Sequence, residues 1–201
     1  MCFIVIVYIN FAQRQYLVLK KGEYELAIMT PIHNTVNKKF EKKQEYLGRH
    51  ILAEFFECDP NVLNNPDLVE KCIKSWRDNL PDYEIMCWDL KRFDINCSRY
   101  TKEAFLEKKY AFASDYIRLY ARYHFGGIYL DSDIEVLKSF DDLLNLKAFT
   151  CFQKMSMTLS PWIIGSEKGN KIIKEFLDYY EERSFYDENG KMDLTPNPYP
   201  F

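Results

Sequence analysis

GGIYLDSD occupies residues 126–133. Three apolar residues, Ile128, Tyr129 and Leu130, run straight into two carboxylates, Asp131 and Asp133. An apolar run entering a core does not deliver charge without compensation. A buried carboxylate needs a cation, several hydrogen bonds or a raised pKa. The two aspartates therefore sit at an exposed strand end, or they hold a metal.

Upstream of the glycine pair, residues 101–125 (TKEAFLEKKYAFASDYIRLYARYHF) are helical in pattern with one break, and Gly126-Gly127 stops the helix. Further back, Asn65 is a capping residue and Pro66 fits a first helical turn. Leu68, Cys72, Ile73, Trp76 and Leu80 recur at helical spacing before Pro81 ends the segment. YEIMCW (83–88) is a strand candidate. Downstream, Ser139 and Asp142 form a capping pattern before Leu143-Leu144. AFTCF and WIIG are strands, and Gly169-Asn170 opens a last helix with Ile172, Ile173, Phe176, Leu177 and Tyr180 as its stripe. The tail LTPNPYPF cannot continue as helix. Helices alternating with short strands from residue 66 onward predict an α/β fold with a mostly parallel sheet.

In such sheets ligands bind at the carboxyl ends of strands. Alternate residues of an extended segment share a face, so Asp131 and Asp133 can point at one site. Two hard oxygen ligands with open positions suit Mg²⁺ or Mn²⁺ carrying phosphate oxygens, which makes a nucleotide diphosphate the natural guest. A bare D-x-D is weak evidence alone. A calcium loop fits Asp131, Asp133 and Glu135 but has Val136 where glycine belongs and Asp142 where a bidentate Glu belongs. A phosphohydrolase with an aspartyl nucleophile uses the same motif, usually on a strand that opens its domain. A polar turn is the plain structural alternative. On the preceding helix Asp115, Arg118 and Arg122 share one face. Read alone they are an ordinary surface ion pair worth under ~1 kcal/mol. Tyr116, Leu119, Tyr120 and Tyr123 form the other, core-like face.

The composition narrows the class. The chain has 201 residues, 47% hydrophobic and 28% charged, with a net charge of −3. That is material for one domain with a true core. A nucleic-acid footprint would be basic and clustered, and none is present. Lys38, Lys39, Lys42 and Lys43 alternate with Glu41 and Glu45 as a solvated helix face. Six cysteines, with no C-x-x-C pair, read as buried free thiols in a reducing compartment. MCFIVIVYI (1–9) is too short to span a membrane, which takes roughly twenty residues, and is β-branched. It reads as a buried strand, with peripheral membrane association as the alternative. YLVL (16–19) is a second strand, residues 30–37 a loop, and residues 38–46 a weak helix.

YAFASDYIRLYARYHFGGIYLDSDIEVLKSFDDLL (110–144) resembles the catalytic block of the D-x-D-containing sugar transferases of glycosyltransferase family 32, which includes capsular-polysaccharide transferases and initiating mannosyltransferases. LVEKCIKSWRDNLPDYEI (68–85) and WIIGSEKGNKIIKEFLDYY (162–180) are similar to the same family, so the resemblance covers about residues 66–199. It implies a GT-A (Rossmann-like) fold, a UDP- or GDP-sugar donor, a glycan acceptor, Mn²⁺ or Mg²⁺, retention of configuration and a cytoplasmic enzyme at the inner face of the membrane. By the same resemblance Asp131 and Asp133 address the metal, Asp115 and Arg118 hold the donor sugar, and Gly127 belongs to the donor-binding segment. The family's opening strand, which helps bind the base, is missing before the LVEKCIKSW helix. YLGRHILAEFFECDPNVLNN (46–65) stands there instead and resembles the start of bacterial S-adenosylmethionine decarboxylase, without that enzyme's self-cleaving serine. Residues 1–65 are therefore expected to be an atypical segment, peripheral to the core or less well ordered than residues 66–185, with the opening strand docked in the vacated sheet position and HILAEFF leaving an unpaired edge unless it docks on the transferase sheet. Residues 66–201 are expected to be a transferase core incomplete at both ends, active or an inactive remnant.

Overall fold

The computed structural model describes residues 5–11, 14–21, 24–29, 45–54, 65–152 and 159–195. Three strands open the chain: β1 (Val5–Phe11), β2 (Arg14–Lys21) and β3 (Tyr24–Met29). Then come β4 (His50–Glu54), α1 (Pro66–Asn79), β5 (Glu84–Trp88), α2 (Arg99–Leu106), α3 (Tyr110–Phe125), β6 (Gly127–Leu130), β7 (Ala148–Phe152), β8 (Leu159–Ser166) and α4 (Lys171–Glu181). They form one sheet in the order β1-β2-β3-β7-β8-β6-β4-β5. The expected loop at 30–37 lies outside the described residues, as does almost all of the expected helix at 38–46.

The sheet is mixed, not mostly parallel. β4 pairs in parallel with β5 and β6, and β3 with β7, but β8 runs antiparallel to both β6 and β7. β1, β2 and β3 form an antiparallel meander on the β7 side. Helix–strand alternation holds only as far as β6. Among the described residues no helix connects β7 to β8, so the parallel rule for crossovers does not reach them.

Alternation along β4 and β6 divides the core between the two faces of the sheet. Ile51, Ala53, Ile128 and Leu130 join Trp76 and Leu80 of α1 on one side. Leu52 and Tyr129 join Tyr116, Ile117, Leu119, Ile173 and Leu177 of α3 and α4 on the other. Ile51, Leu52 and Ala53 are fully buried. The segment expected to be peripheral thus supplies the strand between β5 and β6. β1, expected in that place, pairs instead with β2 at the far edge. β4 fits the central position because Ile51 and Ala53 bury on one face of the sheet and Leu52 on the other, which is what a doubly covered strand requires.

The helices follow their sequence signals with local corrections. Pro66 opens α1, but Leu68 is exposed and Val69 takes its place in the buried stripe with Cys72 and Trp76. The break between α2 and α3 falls at residues 107–109, where Lys108 adopts φ 57°. Asn170 caps α4 by accepting from the Ile172 and Ile173 amides. The capping pattern expected at Ser139 and Asp142 opens only a short 3₁₀ turn at Asp141–Leu143, whose N-cap residue is Phe140; Ser139, one residue earlier, accepts from the Asp141 amide. Two of the cysteines expected to be buried, Cys87 and Cys97, are exposed; Cys72 is buried, and all four described cysteines are free. No helix among the described residues is long and apolar enough to cross a membrane.

The glycine pair is what allows α3 to turn back into the sheet. Gly127 has φ +102° and lies so close to β4 that a Cβ would sit 2.6 Å from the His50 carbonyl oxygen. Gly190 also has positive φ, +74°, but open space around it. Gly127→Ala should therefore cost about 3 kcal/mol of stability and Gly190→Ala only about 1 kcal/mol. Urea unfolding of both variants checks the difference; equal costs would contradict the close approach to β4.

Candidate active site

β6 ends at Leu130, at the carboxyl end of parallel strands β4 and β6 and beside antiparallel β8. There the Asp131 amide still donates to the Trp162 carbonyl of β8 at 3.0 Å. The chain then turns, with the Ile134 amide donating to the Asp131 carbonyl at 3.1 Å. The D-x-D segment is consequently not an extended strand, and the shared-face argument does not apply to it. Asp131 points at α3, and Asp133, past the turn, is exposed.

Asp115 and Arg118 meet Asp131. Arg118 lies between them, with Nη2 3.5 Å from Asp115 Oδ1 and Nη1 3.6 Å from Asp131 Oδ1. Far from being a surface pair, Asp115 is 6% exposed and Arg118 7%. Helical spacing also puts Ser114 one turn before Arg118. Its hydroxyl accepts from Nη2 at 2.8 Å, and its carbonyl accepts from Nε at 3.4 Å. Tyr129 completes the cluster. Its hydroxyl donates to Asp131 Oδ1 at 2.7 Å, and the Arg118 guanidinium carbon lies 4.8 Å from its ring centroid. Arg122 is fully buried one turn on, donating from Nε to the Arg118 carbonyl. Tyr129 and Ser114 were not singled out by the sequence reading. The signal was there: Tyr129 stands two residues before Asp131 in the strand, and Ser114 four before Arg118 in the helix.

Gly127 is not brought to this cluster. It stands at the opposite end of β6, against His50, where its role is backbone clearance. Of the expected residues the structure gathers Asp115, Arg118 and Asp131, with Asp133 beside them on the open side.

Burial pushes the Asp131 carboxyl above the usual carboxylate range; Arg118 and the Tyr129 hydroxyl oppose this, and Asp133 adds to it. Burial, and then the Asp115 carboxylate, holds the Tyr100 and Tyr180 phenols far above their ordinary value. Asp115 thus lies among neutral hydroxyls. The donor set suits a divalent cation in one specific respect. The Asp133 carboxylate adds to the cost of ionising Asp131, and a cation near both would offset that cost. Among the described residues no group of three or more His, Cys, Asp or Glu side chains is arranged to hold a metal by itself, so such a cation would need further oxygens from a ligand.

A carboxyl with a raised folded-state pKa binds its proton more tightly folded than unfolded. Stability of the metal-free chain therefore falls as pH rises from the ordinary carboxylate pKa through the raised one. Asp131→Asn removes that loss and still accepts from Tyr129. The variant should melt higher than the parent at neutral pH without metal, and the gap should close in acid. A lower melting temperature for the variant at neutral pH would contradict the raised pKa.

Residues 66–150 match the protein family described as "Glycosyltransferase sugar-binding region containing DXD motif". No curated protein matches the chain. Among the solved structures, a chain named "PaToxG Glycosyltransferase" superimposes with a TM-score of 0.51 at 20% sequence identity. The match covers 67% of this chain and 59% of that one, so this chain spans well under two-thirds of that structure's length. The five-stranded core β7-β8-β6-β4-β5 with its helices is accordingly a GT-A-like fold. The matched residues 66–150 include Asp115, Arg118, Asp131 and Asp133.

Proposed function

We propose that the chain is a metal-dependent, retaining glycosyltransferase that moves a sugar from a UDP- or GDP-sugar to a glycan acceptor. The observation that carries this reading is the Asp115–Arg118–Asp131 cluster at the carboxyl end of β6, with Asp115 and Arg118 buried, Asp131 partly buried and Asp133 exposed at its mouth. Asp131 and Asp133 would hold Mn²⁺ or Mg²⁺ together with diphosphate oxygens of the donor. When bound, the metal supplies charge neutralisation of the departing diphosphate.

The remaining roles belong to the chain's own side chains. Asp115 is an acceptor-only carboxylate and suits the hydroxyls of a donor sugar. Arg118 offers a fork of donors, held by Ser114, to sugar or phosphate oxygens. Tyr129 fixes the rotamer of Asp131. Attack by an acceptor hydroxyl on the face the diphosphate leaves forms the new C–O bond as the old one breaks. The hydroxyl proton passes to the departing phosphate, which accounts for retention without a protein nucleophile. The resemblance to capsular-polysaccharide transferases supports a cell-surface polysaccharide as acceptor and a site of action at the inner face of the membrane.

Release of UDP or GDP from a panel of nucleotide sugars, with and without Mn²⁺, tests the reading. Turnover should require Mn²⁺, and Asp131→Asn and Asp133→Asn should each lower it by about 100-fold or more. Metal-independent release that survives in both variants would refute it.

A further inference from the structure

Residues 134–136 follow Asp133 directly and belong to no strand. Their backbone is nevertheless engaged, and by side chains of α1. Trp76 Nε1 donates to the Ile134 carbonyl at 2.7 Å. Ser75 Oγ accepts from the Val136 amide at 2.9 Å and donates to the Cys72 carbonyl at 2.6 Å. Asn79 Nδ2 donates to the Val136 carbonyl at 2.9 Å. Lys71 Nζ pairs with Glu135 at 2.9 Å. Residues 71, 75, 76 and 79 share one face of a helix. These side chains do the work of a missing neighbour strand, engaging the Ile134 carbonyl and both backbone polar groups of Val136.

We propose that α1 is a latch that positions Asp133, with Ser75, Trp76 and Asn79 as the positioning residues. The proposal rests on the metal-binding reading of the D-x-D given above. Asp131 is fixed from one side, through Trp162 of β8, Tyr129 and Arg118. On the other side, Asp133 is one residue from the first latch bond. The exposed carboxylate therefore hangs between two anchors on different elements, and its distance from Asp131 depends on both. Side-chain bonds to backbone suit this task, because they hold the path of the chain while leaving both Asp133 oxygens open. Supporting groups behind metal ligands typically carry 10–100-fold of affinity.

The test uses the full chain with Mn²⁺ alone, titrated by the paramagnetic signal of the free ion. Amide hydrogen exchange at Val136 and along β4 is the second readout. Ser75→Ala removes the acceptor for Val136, Ser75→Thr keeps it, and Trp76→Phe removes the donor to Ile134 while keeping a ring in the core. Ser75→Ala and Trp76→Phe should each weaken Mn²⁺ binding roughly tenfold. In Ser75→Ala the Val136 amide should exchange faster while β4 is unchanged, and Ser75→Thr should restore both. Wild-type affinity in Ser75→Ala and Trp76→Phe overturns the proposal. So does a weakened Ser75→Thr, or a loss that tracks faster exchange in β4, since these mark a general loss of stability. If the unaltered chain binds no Mn²⁺, the reading of the site fails and the metal-positioning claim with it. The Val136 amide then reports separately whether the latch exists.

Discussion

One buried guanidinium makes the rest of the site tolerable. Arg118 is 7% exposed and lies between two carboxylates, Asp115 and Asp131, that the fold also takes out of water. Without that charge, two anions would face each other in a low-dielectric interior, at a cost of several kcal/mol. With it, Asp131 still has a raised pKa, because burial outweighs the help from Arg118 and Tyr129. Asp131 thus keeps a cost of ionisation that burial and Asp133 raise and that Arg118, the Tyr129 hydroxyl and Arg122 reduce.

The scaffold around this cluster depends on a close approach between two backbones. α3 carries Asp115 and Arg118, β6 carries Asp131, and only the Gly126-Gly127 turn separates helix from strand. Because Gly127 lacks a Cβ, β6 can lie against the start of β4, and β4 in turn makes β6 a central strand. The sheet then delivers Asp131 to the crevice between a parallel and an antiparallel neighbour, where open α/β sheets bind ligands. The buried, apolar HILAE strand is therefore tied to the chemistry through geometry, whatever its ancestry.

Much of this was legible in the residues. Pro66 at the first position of α1, the Asn170 cap, the helix stop at Gly126-Gly127 and the D-x-D after an apolar run each have a local physical cause and each stands where the sequence puts it, although Asn65 makes no side-chain cap bond to α1. What failed were inferences that needed partners distant in sequence. Helical spacing puts Asp115 and Arg118 on one face and the resemblance assigns them to the donor site, but their burial and the approach of Asp131 to Arg118 are contacts that spacing alone does not show. The spacing of Asp131 and Asp133 reads as an extended segment, but the Ile134 amide turns back to the Asp131 carbonyl, and the side-chain bonds of α1 to the backbone of residues 134 and 136 leave no periodic trace. The place of HILAE rests on its pairing with β5 and β6, which are distant in sequence.

A crystal of the chain soaked with Mn²⁺ and a nucleoside diphosphate, measured at the manganese absorption edge, tests the central claim most directly. The account predicts a single strong anomalous peak between the carboxylates of Asp131 and Asp133, with phosphate oxygens completing the coordination and Arg118 still between Asp115 and Asp131. Nucleotide bound at the end of β6 with no manganese on either aspartate, or manganese bound elsewhere, would contradict it.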